Sequence, residues 1–504
     1  MTLKRLALIL MTLLVVARVG LALLGSLSEP QVQGQLELYQ TNLILKAAEY
    51  QADSPELQEP IEQFLGNAPY ENAAKQYQNI EDSTNKTLEQ LNSQAQQAAL
   101  VVNDGQMMAV NGAIAEIHTF QEQIHINLGI LAAHGGDIKT AQAQWQGVSQ
   151  TEPMVQPGGK TAALLSQLWQ KNAADLPPDT AEILQTELKG WFQGEALAQF
   201  YRVTDQDHAL EQLQTERQAL AETALIRLGA IALLPSVGGL LGMGLILFLL
   251  AQWILRREKS LLASPFPTFT VPWDGETTLQ GIVVGFFFFS QIVLATTLPL
   301  LVSLAGLNPS GFDLRGKALY ILFSYGIMTA GGLTILYYTI RPYFPLPEGW
   351  FNVKLWGRWP LWGLGGYTVA IPLVFLASLI NQQFWSGQGG GNPIILLALQ
   401  SQDLLALVIF FITASLAAPI FEEIMFRGFL LPSLTRYLPS WGAIALTSIL
   451  FAAAHLSLAE MLPLTVLGGV LGFVYWRSRN LLASILLHSL WNSGTLISLF
   501  LLGR

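Results

Sequence analysis

The 504-residue sequence contains no cysteine. This absence excludes structural disulfides, thiol catalysis, cysteine-ligated zinc and lipid attachment to a cysteine of the chain itself. Charge is also scarce, because only 12% of the residues are Asp, Glu, Lys or Arg while 51% are hydrophobic. Soluble proteins carry about 25% charged residues. The composition therefore predicts an integral membrane protein, and the lack of a basic patch on any polar segment argues against nucleic-acid binding.

The few charges are unevenly distributed along the chain. Residues 28–223 contain 26 acidic and 9 basic side chains, a net charge of −17, whereas the remainder contains 9 acidic and 17 basic side chains, a net charge of +8. The acidic stretch is also the polar one, and apolar residues recur in it at helical spacing. The sequence thus predicts an acidic helical domain carried by a basic membrane body.

The predicted fold is all-α: a polytopic membrane helix bundle of about eight or nine spans with an inserted soluble α-helical domain. The expected spans are 1–27, 224–256, 279–306, 318–340, 360–381, 403–431, 441–458, 462–476 and 481–501. The expected domains are an N-terminal membrane anchor or signal segment at 1–27, an acidic extracytoplasmic helical domain at 28–223, a transmembrane helix and linker at 224–277, and a polytopic membrane domain at 278–504 with a motif core at 400–500.

Basic residues at the ends of the spans predict the orientation in the membrane. Lys4 and Arg5 precede the first apolar run, and Arg256, Arg257 and Lys259 follow the second. Because such residues favour the cytoplasmic side, the N-terminus is expected in the cytoplasm and residues 28–223 outside it. The first run has no convincing small-x-small cleavage site, which favours an uncleaved anchor over a signal peptide.

The inserted domain has one recognisable internal motif. Residues 127–145 resemble a tetratricopeptide helix-turn-helix, with Gly135 and Gly136 at the turn. Only one such copy is clear, whereas a stable repeat stack needs about three, so a helical bundle without a peptide groove is an equal alternative. A protein partner is expected for this domain. Its histidines are interpreted as ordinary surface or core residues, as they lack metal-site spacing.

Two other runs are interpreted as having no part in chemistry. The apolar run Phe286–Phe289 is expected to face lipid. The glycine-rich run Gly387–Gly391 is expected to be a flexible outer loop that only connects two spans.

Polar side chains that are rare in membrane spans cluster in the C-terminal apolar segments. They are Glu422, Glu423, Arg427, His455, His488 and Asn492. Charge in hydrocarbon costs roughly 2.5–3.5 kcal/mol per residue even on the mildest insertion scale, so such residues are functional candidates. Glu423 and Arg427, and likewise His488 and Asn492, are four apart and share a helix face. A turn at 433–440 would bring Glu422 and His455 to similar depths on antiparallel helices.

The three motifs Glu-Glu-x-x-x-Arg, Phe-x-x-x-His and His-x-x-x-Asn begin at Glu422, Phe451 and His488, in that order. In this they resemble the CAAX-protease and bacteriocin-processing (CPBP, or Abi) family of intramembrane proteases. The resemblance covers about residues 360–504 and leaves the inserted domain unexplained. It implies a membrane endopeptidase whose catalytic positions correspond to Glu422, His455, His488 and Asn492.

The residue types suit hydrolysis of a peptide bond in a membrane-associated protein or peptide. Glu422 and His455 could hold and deprotonate one water, because a carboxylate in an apolar site becomes a better general base. His488 and Asn492 could stabilise the oxyanion. Glu423 paired with Arg427 would support the helix. The absence of His-Glu-x-x-His, and of Gly-x-Gly-Asp or Gly-x-Ser-Gly in any span, argues against other intramembrane protease chemistries.

Metal dependence and two other functions stay open at this stage. Glu422, His455 and His488 would make a zinc set with an open fourth position, although Asn is a poor zinc ligand and the family resemblance permits a metal-free mechanism. The predicted cofactor is therefore none or one divalent metal. A non-proteolytic membrane scaffold that binds a partner through residues 28–223 is the alternative function. A transporter fits less well because the polar set has no symmetry-related second copy.

Overall fold

The computed structural model is helical throughout the part it describes, with no β-strand among those residues. It describes residues 2–27, 32–52, 54–101, 104–151, 157–170, 176–263, 268–385, 389–391, 393–400 and 403–503. The chain divides into two compact units. The first unit consists of Met1–Val32 together with Leu233–Arg504, and the second of Gln33–Ala232.

The helices follow one another along the chain with short connections. They are α1 (Leu3–Ser26), α2 (Val32–Ala47), α3 (Pro55–Leu65), α4 (Pro69–Val101), α5 (Asp104–His134), α6 (Ile138–Thr151), α7 (Pro157–Trp169), α8 (Thr180–Glu187), α9 (Trp191–Val203) and α10 (Asp207–Arg256). There follow α11 (Gly275–Leu304), α12 (Leu314–Tyr343), α13 (Trp359–Trp385), α14 (Pro393–Gln400), α15 (Leu404–Leu434), α16 (Ser440–Ala453), α17 (Leu458–Ser478) and α18 (Leu481–Gly503).

Eight helices of the described chain are long and apolar enough to cross a bilayer, which makes the molecule a polytopic membrane helix bundle. They are α1, α10, α11, α12, α13, α15, α17 and α18. The expected ninth span, 441–458, is wrong, because α16 has only 14 residues. At 1.5 Å per residue that length reaches about 21 Å, short of the roughly 30 Å hydrocarbon core.

The predicted boundary between residues 223 and 224 falls inside a continuous helix. α10 starts at Asp207 and runs for 50 residues, so the change from polar to apolar side chains does not interrupt its backbone. Helical hydrogen bonding continues across such a change because it depends on the backbone and not on side-chain polarity.

The second unit contains the helix-turn-helix expected at residues 127–145. α5 ends at His134, Gly136 takes a left-handed φ of +84°, and α6 then begins at Ile138. Gly129 allows the two helices to approach closely, because a Cβ there would lie 2.2 Å from Nε1 of Trp145. That indole nitrogen donates to the carbonyl of Ile126 at 3.2 Å. Whether the hairpin belongs to a tetratricopeptide array stays a prediction.

A charged cluster lies inside the second unit. Arg217 donates through Nε to Glu49 at 2.8 Å and through Nη2 to Glu195 at 3.0 Å. His134 contacts the other oxygen of Glu195 through Nδ1 at 3.2 Å. Burial alone would raise the pKa of Glu195, but the hydrogen bond from His134 and the charge of Arg217 lower it to about 2. The cluster therefore holds Glu195 as a carboxylate.

In the first unit, aromatic side chains pack around the middle of α15. Phe286 and Phe287 on α11 are both buried, so the expectation that Phe286–Phe289 faces lipid is wrong. The ring of Phe286 stacks on Phe421 with centroids 5.7 Å apart and meets Phe426 edge-on at 5.0 Å. An apolar run alone cannot distinguish a lipid-facing surface from a helix-facing one, because both are apolar.

Candidate active site

The helix α15 positions the first motif between two stretches of π-helix. Thr413–Ala417 and Ile424–Leu430 have the wider π-type turns, and Ala418–Glu423 between them is α-helical. Pro419 has no backbone N–H to donate, which favours an altered hydrogen-bonding pattern in the turn before Glu422. Such π segments inside α-helices are frequent at functional sites.

Glu423 and Arg427 form the ion pair that their spacing predicts. Nη1 of Arg427 donates to Oε1 of Glu423 at 2.7 Å, and neither side chain has any exposed area. Nη2 of the same guanidinium donates to the carbonyl of Gly468 on α17 at 3.2 Å. Two opposite charges in contact largely avoid the cost of a lone buried charge, so the pair fixes α15 against α17.

The carboxylate of Glu423 also orients His488, which projects from α18. Nδ1 of His488 lies 3.0 Å from Oε1 of Glu423, and the imidazole is almost fully buried. Because a carboxylate only accepts hydrogen bonds, Nδ1 carries the proton and donates it to Glu423. Nε2 then points the other way and lies 3.9 Å from Oε2 of Glu422. The first and third motifs are therefore brought together.

The second oxygen of Glu422 is held by a residue that sequence reasoning missed. The hydroxyl of Tyr325 on α12 donates to Oε1 of Glu422 at 3.0 Å. The side chain of Glu422 keeps 15% of its area exposed, in contrast to Glu423. Tyr325 lies in an expected span, but Tyr320, Tyr337 and Tyr338 lie there too, so no spacing singled it out.

His455 does not lie on a helix, contrary to the expectation of a helical position. α16 ends at Ala453, and His455 occupies the turn that follows, just before Leu456 adopts a left-handed φ of 58°. Its Nδ1 contacts the carbonyl of Phe451 at 2.9 Å. This contact fixes the ring and leaves Nε2 as the nitrogen that faces away from its own backbone.

The ring of Phe451 links the three motifs. His455 and His488 both meet it edge-on, with centroids 5.0 Å and 5.6 Å away, and the guanidinium carbon of Arg427 lies 4.5 Å from its centre. The sequence analysis treated this residue only as part of a motif. Its position between two imidazoles and a cation makes it the packing centre of the site.

The turn that carries His455 is fastened by the glycine-rich segment. The carbonyl of Gly389 accepts from Oγ of Ser457 at 3.0 Å and from the backbone N–H of Ala459 at 3.1 Å. The interpretation of Gly387–Gly391 as a mere connector is therefore wrong for Gly389. The first two residues of that run, 387 and 388, lie outside the described residues. A glycine-rich run signals a permissive backbone but does not identify its hydrogen-bond partners.

Asn492 is used in a contact between helices. Its Nδ2 donates to the carbonyl of Ala414 on α15 at 2.7 Å, within the first π-type stretch. The amide therefore ties α18 to α15 one turn beyond His488. Its oxygen stays available as an acceptor, and the amide nitrogen has one further hydrogen to donate.

The residues suggested as a zinc set do not form one. Within the ranges that the structure describes, no group of three His, Asp or Glu side chains is placed to hold a metal ion. Glu422 and His488 approach each other, but the Nδ1 of His488 is committed to Glu423 and that of His455 to a backbone carbonyl. The donor geometry thus does not fit the metal site considered from the sequence.

Comparison with known proteins identifies the helices that carry these motifs. Residues 404–494 match the family described as type II CAAX prenyl endopeptidase Rce1-like. The chain is also 27% identical over 139 residues to the Bacillus subtilis (strain 168) protein named "Putative membrane peptidase YdiL". That match covers 27% of this chain and 55% of the relative, so the chain spans about half the length of the curated relative it matches. No solved structure matches the chain.

The matched segment begins with α15 and ends within α18, and it contains all six motif residues discussed above. Tyr325 lies outside it. Through residues 404–494 the chain belongs to the Rce1-like CAAX endopeptidase (CPBP) family of intramembrane proteases.

Proposed function

We propose that the protein is an intramembrane endopeptidase that hydrolyses peptide bonds in membrane-associated proteins or peptides. The observation that carries the proposal is the approach of Glu422 to His488, with 3.9 Å between Oε2 and Nε2 and each group held from behind by a separate partner. A carboxylate and an imidazole that face each other inside a membrane helix bundle are costly unless they are used. Membership of residues 404–494 in the protease family supports the same function.

In this proposal Glu422 is the general base, assisted by His455. The carboxylate takes a proton from a water molecule while the water oxygen attacks the carbonyl carbon of the substrate. The resulting tetrahedral intermediate collapses when the C–N bond breaks, and Glu422 returns its proton to the leaving nitrogen. General acid–base catalysis of this kind contributes about 10²- to 10⁴-fold to a rate.

His488 and Asn492 are proposed to stabilise the oxyanion. If Nε2 of His488 is also protonated, two carboxylates, one guanidinium and one imidazolium give the site a net charge of zero, which favours its burial. The imidazolium then donates to the developing negative charge on the substrate oxygen. Glu423 and Arg427 act only by holding His488 and α15 in place. No step requires a metal ion.

The orientation and the soluble domain complete the proposal. Lys4 and Arg5 place the N-terminus in the cytoplasm, and residues 28–223 would then lie outside it and recruit a protein partner or substrate. The substrate chemistry is set by what reaches Glu422, and the described site has charged and aromatic walls but no assigned prenyl pocket.

The experiment compares membranes that contain wild-type protein, Glu422→Gln or Glu258→Gln. Glu258 is exposed and distant in sequence from the motifs, so it is the matched control. New peptide N-termini are labelled and identified by mass spectrometry. Wild type and Glu258→Gln should generate a shared set that Glu422→Gln lacks, although all three proteins accumulate equally. The same set with Glu422→Gln would overturn the proposal, and no set with any protein would favour the scaffold function.

A further inference from the structure

Tyr325 makes a contact that the protease motifs do not include. It projects from α12, outside the segment matched to the family, and its hydroxyl donates to Oε1 of Glu422 at 3.0 Å. Its ring also meets Phe421 edge-on, with centroids 6.2 Å apart and planes at 87°. The ring and the hydroxyl therefore have separate partners on α15, so that the two contributions can be tested separately.

The hydroxyl acts on one oxygen of the carboxylate and leaves the other free. Oε1 accepts from Tyr325, whereas Oε2 lies 3.9 Å from Nε2 of His488. The last torsion of a glutamate side chain is broad and roughly two-fold, so a carboxylate held by nothing would rotate. A donor on Oε1 suppresses that rotation and keeps Oε2 directed toward the imidazole.

A phenol is also suited to a group that changes its protonation state. Its oxygen can donate to a carboxylate and can accept from a carboxylic acid. The contact between Tyr325 and Glu422 therefore persists when Glu422 takes a proton from water and when it gives that proton to the leaving nitrogen. A lysine or arginine in the same place could only donate, and it would oppose protonation of Glu422.

We propose that Tyr325 is a positioning residue for the hydrolysis: its hydroxyl anchors Oε1 of Glu422 so that Oε2 faces His488 and the attacking water. This inference rests on the proposed function of Glu422 as the base. It adds a fourth helix, α12, to the three that carry the family motifs, and it assigns the site a component that lies outside residues 404–494.

The test uses purified full-length protein in lipid nanodiscs and a quenched fluorescent peptide that contains one bond cut only by wild-type membranes. Tyr325→Phe removes the hydroxyl but keeps the ring against Phe421. We expect kcat to fall about 10- to 100-fold, the effect of losing one hydrogen bond to a charged group, with KM changed by less than about threefold. Tyr338→Phe, on the same helix with an exposed side chain, should retain wild-type kcat and KM.

A double variant distinguishes positioning from packing. If Tyr325 acts through Glu422, adding Tyr325→Phe to Glu422→Gln should leave the residual rate unchanged within about twofold. An equal proportional loss in both backgrounds, an effect on KM alone, or a wild-type kcat for Tyr325→Phe would overturn the inference. These results differ from failure of the proposed function, in which Glu422→Gln itself would cleave at the wild-type rate.

Discussion

The Nδ1 atom of His488 lies 3.0 Å from Oε1 of Glu423, the same oxygen that accepts from Arg427 at 2.7 Å. One buried carboxylate therefore neutralises a guanidinium and orients an imidazole. Partners of this kind set the tautomer and direction of a functional histidine, and their loss typically reduces activity 10- to 100-fold. The two adjacent glutamates thus have different duties, with Glu423 behind His488 and Glu422 in front of it.

Removal of the charge partner of Glu423 should destabilise the fold. Arg427→Met leaves a carboxylate in a fully buried position, which costs about 3–5 kcal/mol. The double variant Glu423→Gln/Arg427→Met removes both charges and should recover much of that stability, while cleavage stays at least tenfold below wild type because His488 loses its carboxylate. Thermal unfolding in detergent and a cleavage assay measure the two effects. Arg427→Met that is as stable as wild type would contradict this assignment.

Phe451→Leu should impair cleavage more than its loss of packing explains. The smaller side chain no longer contacts His455, His488 and Arg427 together, so both imidazoles gain freedom. Phe410→Leu is the matched control, because Phe410 is equally buried but lies in a separate apolar cluster of the first unit. Both variants should lose about 1–3 kcal/mol of stability, whereas only Phe451→Leu should lower kcat by tenfold or more.

Equal kcat values for the Phe451→Leu and Phe410→Leu proteins, at equal stability, would show that Phe451 has no special relation to the histidines.

Gly389→Ala should disturb the turn that carries His455. Gly389 has a φ of +111°, and a Cβ there would lie 2.8 Å from the backbone nitrogen of Ala459. The substitution therefore forces the segment away and breaks the two hydrogen bonds to the Gly389 carbonyl. Hydrogen exchange at residues 455–459 should accelerate and cleavage should fall. Gly469→Ala, which meets no atom within 4 Å, should leave both unchanged.

Unaltered exchange at residues 455–459 in the Gly389→Ala protein would mean that the glycine-rich segment does not hold the turn.

The stability of the second unit should depend on pH through Glu195. Its folded-state pKa of about 2 lies below the ordinary value of 4.5, so its contribution is fully present above pH 4.5 and is lost as the pH falls toward 2. Glu195→Gln should therefore reduce the protection of α9 against hydrogen exchange in the full chain by on the order of 3 kcal/mol at neutral pH, and by less as the solution is acidified. Glu211→Gln, an exposed site, is the control.

A difference between wild type and Glu195→Gln that stays constant from pH 7 to pH 3 would contradict the role assigned to the charged cluster.

Local geometry was predictable from the sequence, whereas contacts between distant segments were not. The pair Glu423–Arg427 follows from helical spacing alone, because both residues lie within one helical segment. The contact of Tyr325 with Glu422 joins residues 97 positions apart and depends on how α12 packs against α15. Hydropathy does not specify that packing, since every span offers apolar surface in all directions.

The turn at His455 shows a second limit. The segment 441–458 reads as one apolar helix, yet α16 stops at Ala453, and the next residues form a turn that is held by Gly389 from another part of the chain. Helix ends are poorly specified when no proline or capping residue marks them. The tertiary partner decides where this helix stops, and it could not be identified from sequence.

The central claim is that Glu422 activates the water that cuts the substrate. The most direct measurement is cleavage of the quenched peptide in water enriched in ¹⁸O by purified wild-type, Glu422→Gln and Glu258→Gln proteins. The account predicts that wild type and Glu258→Gln place one ¹⁸O atom in the new carboxyl terminus at equal rates, while folded Glu422→Gln is at least 100-fold slower. Cleavage by folded Glu422→Gln at the wild-type rate would contradict it.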